Sequence, residues 1–135
     1  MRQTFRKKER LKSSRVVKTL FFHGNSFLLH PYRVNWIVGS REGKYPARIL
    51  IGVSRKNIKK ASERNHLKRL CREAYRKNKY LLYDYLNSHN LSCDFSVIFI
   101  GSPHTNYAVI EKKIILLLER LISELEFQPA ENKTL

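Results

Sequence analysis

The chain has 135 residues, 42% of them hydrophobic, with one Trp, seven Tyr and seven Phe, which suits one compact domain with a real core and excludes general disorder. Lys and Arg number 27 against 11 Asp and Glu, a formal charge of +16. Such an excess attracts polyanions, so nucleic acid is the first partner to consider and an anionic membrane surface the second.

Residues 1–12 read as a basic arm, mobile until bound. Ser13 or Ser14 caps a short helix running to about Phe22 and stopped at His23-Gly24-Asn25; Val17, Leu20 and Phe21 recur in it at helical spacing. "SFLLHPYRVNWIVG" is extended, with Pro31 dividing a short strand from a second one whose Tyr32, Val34, Trp36 and Val38 alternate on one face. "SREGKYP" is a polar loop. "RILIGVS" is a strand, almost wholly apolar and therefore expected at the centre of its sheet. A basic helix follows, from about residues 58–62 to 87, then the strand "DFSVIFIGS". The last helix carries an apolar stripe of Ile110, Ile114, Leu117, Leu118, Leu121, Ile122 and Leu125. The expected organisation is thus an arm (1–12), one α+β domain (13–127) and a flexible tail (128–135).

The charge is uneven. Residues 1–104 carry 23 Lys and Arg against 6 acids, and residues 105–135 carry 4 against 5, so polyanion contacts are expected before the last helix. The basic helix shows how they are arranged. With Leu67 at zero and about 100° per residue, Leu70, Cys71, Ala74, Leu81, Leu82 and Tyr85 fall within about 60° of it. Asn65, Lys68, Arg69, Arg72, Arg76 and Lys79 fall between about 100° and 200°, with Arg64 at the edge of that arc. An ordinary solvated face mixes signs at i,i+4, whereas here Arg64, Lys68, Arg72 and Arg76 stack like charges that repel by a few tenths of a kcal/mol per pair. A phosphate backbone would offset that repulsion by releasing its counterions. A membrane-surface helix fits less well, because the opposite face is needed for the core.

No apolar run spans a bilayer, and the N-terminus lacks the apolar centre of a secretory signal, so a cytoplasmic protein without a membrane partner is expected. Cys71 and Cys93 lie far apart and read as free buried thiols. Clustered carboxylates for metal-dependent cleavage are missing, the five His form no pair with ligand spacing, and there is no Gly-rich phosphate loop. No residue of the chain is assigned as catalytic or as a metal ligand. Tyr32, Val34 and Trp36 on one strand face fit either of two roles, core packing or a platform for the bases of a single strand.

The run Ile58-x-x-Ala61-x-x-Arg64-Asn65-His66-Leu67-Lys68-Arg69-Leu70, continuing Arg72-Glu73-Ala74-Tyr75-Arg76, closely resembles the signature of the bacterial ribonuclease P protein subunit. The arm "FRKKERLKSS", Gly24 and the strands "IGVSRK" and "DFSVIFIG" also sit where that family has them, so the resemblance spans about residues 5–125. It implies an α-β-β-β-α-β-α sandwich with one mixed sheet and a left-handed crossover around the basic helix, against the common rule. It further implies a non-catalytic helper of a catalytic RNA that removes the 5′ leader from precursor tRNA, with magnesium held mainly by that RNA and no obligate protein partner. Carried over residue by residue, Arg64, Asn65, His66, Lys68, Arg69, Arg72 and Arg76 contact the RNA subunit. Val17, Phe21, Tyr32, Trp36, Arg55 and Lys56 hold the leader. Two positions depart from the family pattern: His66 stands where an Arg is usual, and Val17 where an aromatic is common. The rival reading is a basic RNA-binding protein of ribosomal or chaperone type, which would share size and charge but not this spacing. A helix-turn-helix regulator needs a helix before the basic one, where "RILIGVSRKN" reads as strand and loop.

Overall fold

A computed structural model gives the structure of the protein and describes residues 4–39 and 45–127. Most of the expected polar loop and the expected tail lie outside the described residues.

After a single 3-10 turn, Lys7–Glu9, come α1 (Ser14–His23), β1 (Asn25–Leu29), β2 (Tyr32–Val38), β3 (Ala47–Val53), α2 (Ala61–Asn78), α3 (Tyr80–Ser88), β4 (Cys93–Phe99) and α4 (Tyr107–Phe127). The Ser13 hydroxyl accepts from the Val16 amide at 3.4 Å and starts α1. Gly24 ends it at a close approach of two backbones: a Cβ there would sit 2.3 Å from the Leu20 carbonyl oxygen and 2.9 Å from that of Trp36. α1 must therefore leave its last turn hard against β2.

The four strands form one mixed sheet in the order β1-β2-β4-β3, with β1/β2 and β2/β4 antiparallel and β3/β4 parallel. Strand alternation places Tyr32, Val34, Trp36, Ile49, Ile51, Phe95, Val97 and Phe99 on one face, where α2, α3 and α4 complete the main core. All the expected stripe positions of α4 are buried except Ile122, which is half-buried against the core.

Three expectations change. β3 is not central: it ends the strand order, and residues before α1 cover its outer edge, where the Leu11 amide donates to the Ile49 carbonyl at 2.8 Å. Its apolar sequence reflects that cover together with the core. The residues expected as a mobile arm are, from residue 4 onward, part of the fold, with Leu11 and Glu9 buried. The basic helix is two helices meeting at Lys79. The Asn78 side-chain amide donates to the Ala74 carbonyl at 2.8 Å and to Glu111 at 3.0 Å, competing with the backbone ladder at the junction.

α1 lies against β2 and β4. Its buried residue, Leu20, belongs to no part of the main core, so α1 covers the opposite face of the sheet. That face presents Arg33, Asn35 and Ile37 of β2, Arg48 and Leu50 of β3, and Asp94, Ser96 and Ile98 of β4. Arg48 and Asp94 are directly opposed across the parallel pair and joined by two hydrogen bonds of 2.8 Å.

Candidate nucleic-acid interface

α2 is amphipathic along its whole length. Leu67, Cys71, Ala74, Tyr75 and Asn78 are buried, with the Cys71 sulfur 3.3 Å from the Tyr32 hydroxyl. Burial pushes the Cys71 thiol up to about 11. Turned away from that seam, Asn65, Lys68, Arg69, Arg72, Glu73 and Arg76 line a groove of about 620 Å³ whose other wall is Phe5 and Arg10. Phe5 is fixed edge-on against Tyr75, ring centroids 5.6 Å apart, and the Arg10 guanidinium lies 4.8 Å over the Phe5 ring.

Among the described residues, Lys68, Arg69 and Arg72 have no ion-pair partner. Glu73 is the groove's one acid, bonded by Arg76 at 2.5 and 3.1 Å with Lys77 at 3.9 Å; the hydrogen bond from Arg76 holds its carboxyl below the usual range. Five cations thus share the groove with one acid. The charge of an open groove lined this way is complementary to a phosphodiester backbone.

The structure gathers Asn65, Lys68, Arg69, Arg72 and Arg76 of the expected RNA-subunit residues and leaves two out. Arg64 turns back to donate to the carbonyls of Ile58 at 3.0 Å and Lys59 at 2.6 Å, closing the loop into α2. His66 is exposed and does not line the groove. Lys79, on the cationic arc by angle, is buried against Glu9.

The expected leader platform needs correction. Tyr32 and Trp36 are 0% exposed on the core face, with Tyr32 edge-on to Phe99 at 5.6 Å, so neither presents a ring to a ligand. A strand reverses faces at each residue, and α1 covers the other side. The β2 residues that share a face with α1 are therefore Arg33, Asn35 and Ile37; the polar pair Arg33 and Asn35 was not among the expected site residues, although the same alternation gives them once the side taken by α1 is known. Val17 is half-buried and Phe21 is 46% exposed. Arg55 and Lys56 are exposed on the turn after β3, at the Val53/Phe99 end of the sheet; Gly24 lies toward the opposite end.

Among the described residues no group of three His, Cys, Asp or Glu could hold a metal ion. The acids nearest the groove are engaged, Glu9 by Lys79 and Glu73 by Arg76. No described helix is long and apolar enough to cross a membrane.

Fold and groove together define a small basic α+β protein that presents a cationic helix face beside a packed N-terminal segment. Its residues 5–122 match the ribonuclease P family, and the chain belongs to that family. Relatives named ribonuclease P protein component include one from Porphyromonas gingivalis, 29% identical over 127 residues that cover 94% of this chain and 93% of the relative. Another, from Chlorobium phaeobacteroides, is 30% identical over 135 residues, covering 90% and 91%. The RNase P protein from Thermotoga maritima superposes with a TM-score of 0.64 at 28% identity, covering 83% of this chain and 96% of that one. That from Staphylococcus aureus, at 24% identity and TM-score 0.65 over 84% and 94%, shares the fold.

Proposed function

We propose that the chain is the protein subunit of a ribonuclease P in which a catalytic RNA removes the 5′ leader from precursor tRNA. The observation that carries this reading is the open groove, lined by Arg10, Lys68, Arg69, Arg72 and Arg76 with a single acid, Glu73, among them. A helix face that repels itself in the free protein is stabilised by a phosphate backbone. In this reading the groove docks the RNA subunit, and Arg64 supports it by closing the loop that starts α2. His66 contacts RNA at the rim. The leader lies in the cleft between α1 and the sheet, against Val17, Phe21, Arg33 and Asn35, with Arg55 and Lys56 meeting the RNA backbone. Cytoplasmic location and the absence of an obligate protein partner belong to the same proposal.

Catalysis and its magnesium belong to the RNA. Among the described residues the carboxylates of Glu9, Glu73, Asp94 and Glu124 are ion-paired, no group of three could hold a metal ion, and no step of the reaction is assigned to any of them. Its work is binding: it holds the leader, raises affinity for precursor and neutralises phosphate where the RNA gathers its ions.

The deciding assay adds the protein to a bacterial ribonuclease P RNA and precursor tRNA at low magnesium. Cleavage at the mature 5′ end should require both components. Unchanged RNA activity with protein added, or cleavage by the RNA-free protein, overturns the proposal. Phe21→Ala should lower holoenzyme affinity for precursor by about 1–3 kcal/mol per base unstacked and leave mature tRNA unaffected.

A further inference from the structure

Glu9 is the sole acidic residue in the first 41, and it is completely buried. Its neighbours in sequence are Arg6, Lys7, Lys8 and Arg10, of which Arg10 lines the groove together with the cations of α2. Coulomb repulsion alone would hold such a segment away from α2. It is nevertheless docked, and its attachments are specific. One Glu9 carboxylate oxygen accepts from the Lys79 ammonium and from the Tyr83 hydroxyl, the latter at 2.6 Å; the other accepts from the Arg6 amide at 2.6 Å. Lys79 also donates to the Thr4 carbonyl and lies 5.2 Å from the centre of the Tyr83 ring. Both charges are thus bonded on several sides, the condition under which a buried pair is tolerated. The pair joins the N-terminal segment to the junction where α2 gives way to α3, and Phe5 meets Tyr75 one helical turn before that junction.

We propose that Glu9 and Lys79 are positioning residues for RNA binding: their buried pair pins residues 4–11 beside α2, so that Phe5 and Arg10 form the second wall of the cationic groove. The inference rests on reading that groove as an RNA site. A polyanion is then gripped from two elements rather than laid along one helix. The lone acid of the segment serves to bring its cations into register against their own repulsion.

Removing one partner leaves the other charge buried and unpaired, whereas removing both does not. Lys79→Met and Glu9→Gln should each free the segment, seen as faster trypsin cleavage after Arg6, Lys7, Lys8 or Arg10 in the full-length protein. The double variant Glu9→Gln/Lys79→Met, which leaves no buried charge unpaired, should stay freed because it lacks both the ion pair and the Lys79–Thr4 bond, and a protected double variant overturns the proposal. Binding to a transcribed bacterial ribonuclease P RNA should weaken roughly tenfold in the single variants, and the slope of log K against log salt should fall by about 0.7–0.9 for the lost Arg10 contact. The double variant should show the same weakened affinity and lowered slope, because the Arg10 wall is no longer held in place. Faster cleavage with wild-type affinity and slope overturns the proposal, because the segment then walls nothing the RNA touches. Unchanged cleavage overturns it as well, because the pair then pins nothing. Arg69→Ala measured alongside separates the two readings: if it too binds as wild type, the groove is no RNA site and the underlying reading fails. Should the single variants not fold, Arg10→Ala removes the wall's cation without touching the pair, and a wild-type slope for it overturns the proposal.

Discussion

α2 sets two unlike surfaces back to back across a helix about 10 Å wide. On one, Leu67, Cys71 and Ala74 are sealed against the sheet. On the other, Lys68, Arg69 and Arg72 face solvent beside Arg10 and Arg76. The first surface is satisfied by folding, since its stabilisation comes from burial. The second is left unsatisfied by folding, and its like charges cost the free protein a little. A phosphate backbone would stabilise the face that folding leaves alone, which is why the proposed RNA site falls on these side chains although they contribute little to the core.

The sheet repeats the contrast, and its core side offers the largest effect. Trp36→Ala should cost about 3–5 kcal/mol of folding stability, read from denaturant unfolding, while a holoenzyme assembled from folded variant should show the same precursor-to-mature tRNA affinity ratio as one with wild-type protein. A lost preference at full stability would put Trp36 back in the leader site. On α2 itself, Leu67→Ala should cost about 2–5 kcal/mol and leave RNA affinity per folded molecule unchanged. Arg69→Ala and Arg72→Ala should reverse that pattern, with stability near wild type and each salt slope lower by about 0.7–0.9. If the arginine variants melt early and bind normally, the two faces have been exchanged.

The smallest effect is a pH dependence on the sealed face. Burial raises the Cys71 thiol from 9.0 to about 11, so the folded protein keeps its proton where the unfolded chain gives it up. Its stabilising share is complete below pH 9 and is lost as pH rises toward 11. Cys71→Ser should flatten that fall in unfolding free energy; a curve of unchanged slope would show that Cys71 contributes nothing to it.

Much of this was legible in the chain. Helical angles separated Leu67, Cys71 and Ala74 from Lys68, Arg69 and Arg72, because both sets lie on one helix and a local period determines their relation. Ser13 and Gly24 bounded α1, and Pro31 divided β1 from β2, for equally local reasons. The alternation of Tyr32, Val34 and Trp36 was also plain, but the side of the sheet taken by α1 was not. That choice decides whether Trp36 or Arg33 meets the cleft.

What sequence by itself determined, then, is the set of residues that face together: the seam, the cationic stripe, the stripe of α4 and the charge asymmetry that makes α4 a scaffold. Tertiary structure alone decided which set meets which neighbour. It put β3 at an edge covered by the N-terminal segment, withdrew Lys79 from the stripe to pair with Glu9 seventy residues earlier, and turned Arg64 onto the Ile58 and Lys59 carbonyls. The physical reason is that periodicity is a property of neighbours along the chain. A buried ion pair or a second groove wall depends instead on segments far apart in sequence, and desolvation and pairing settle it only once the chain has closed on itself.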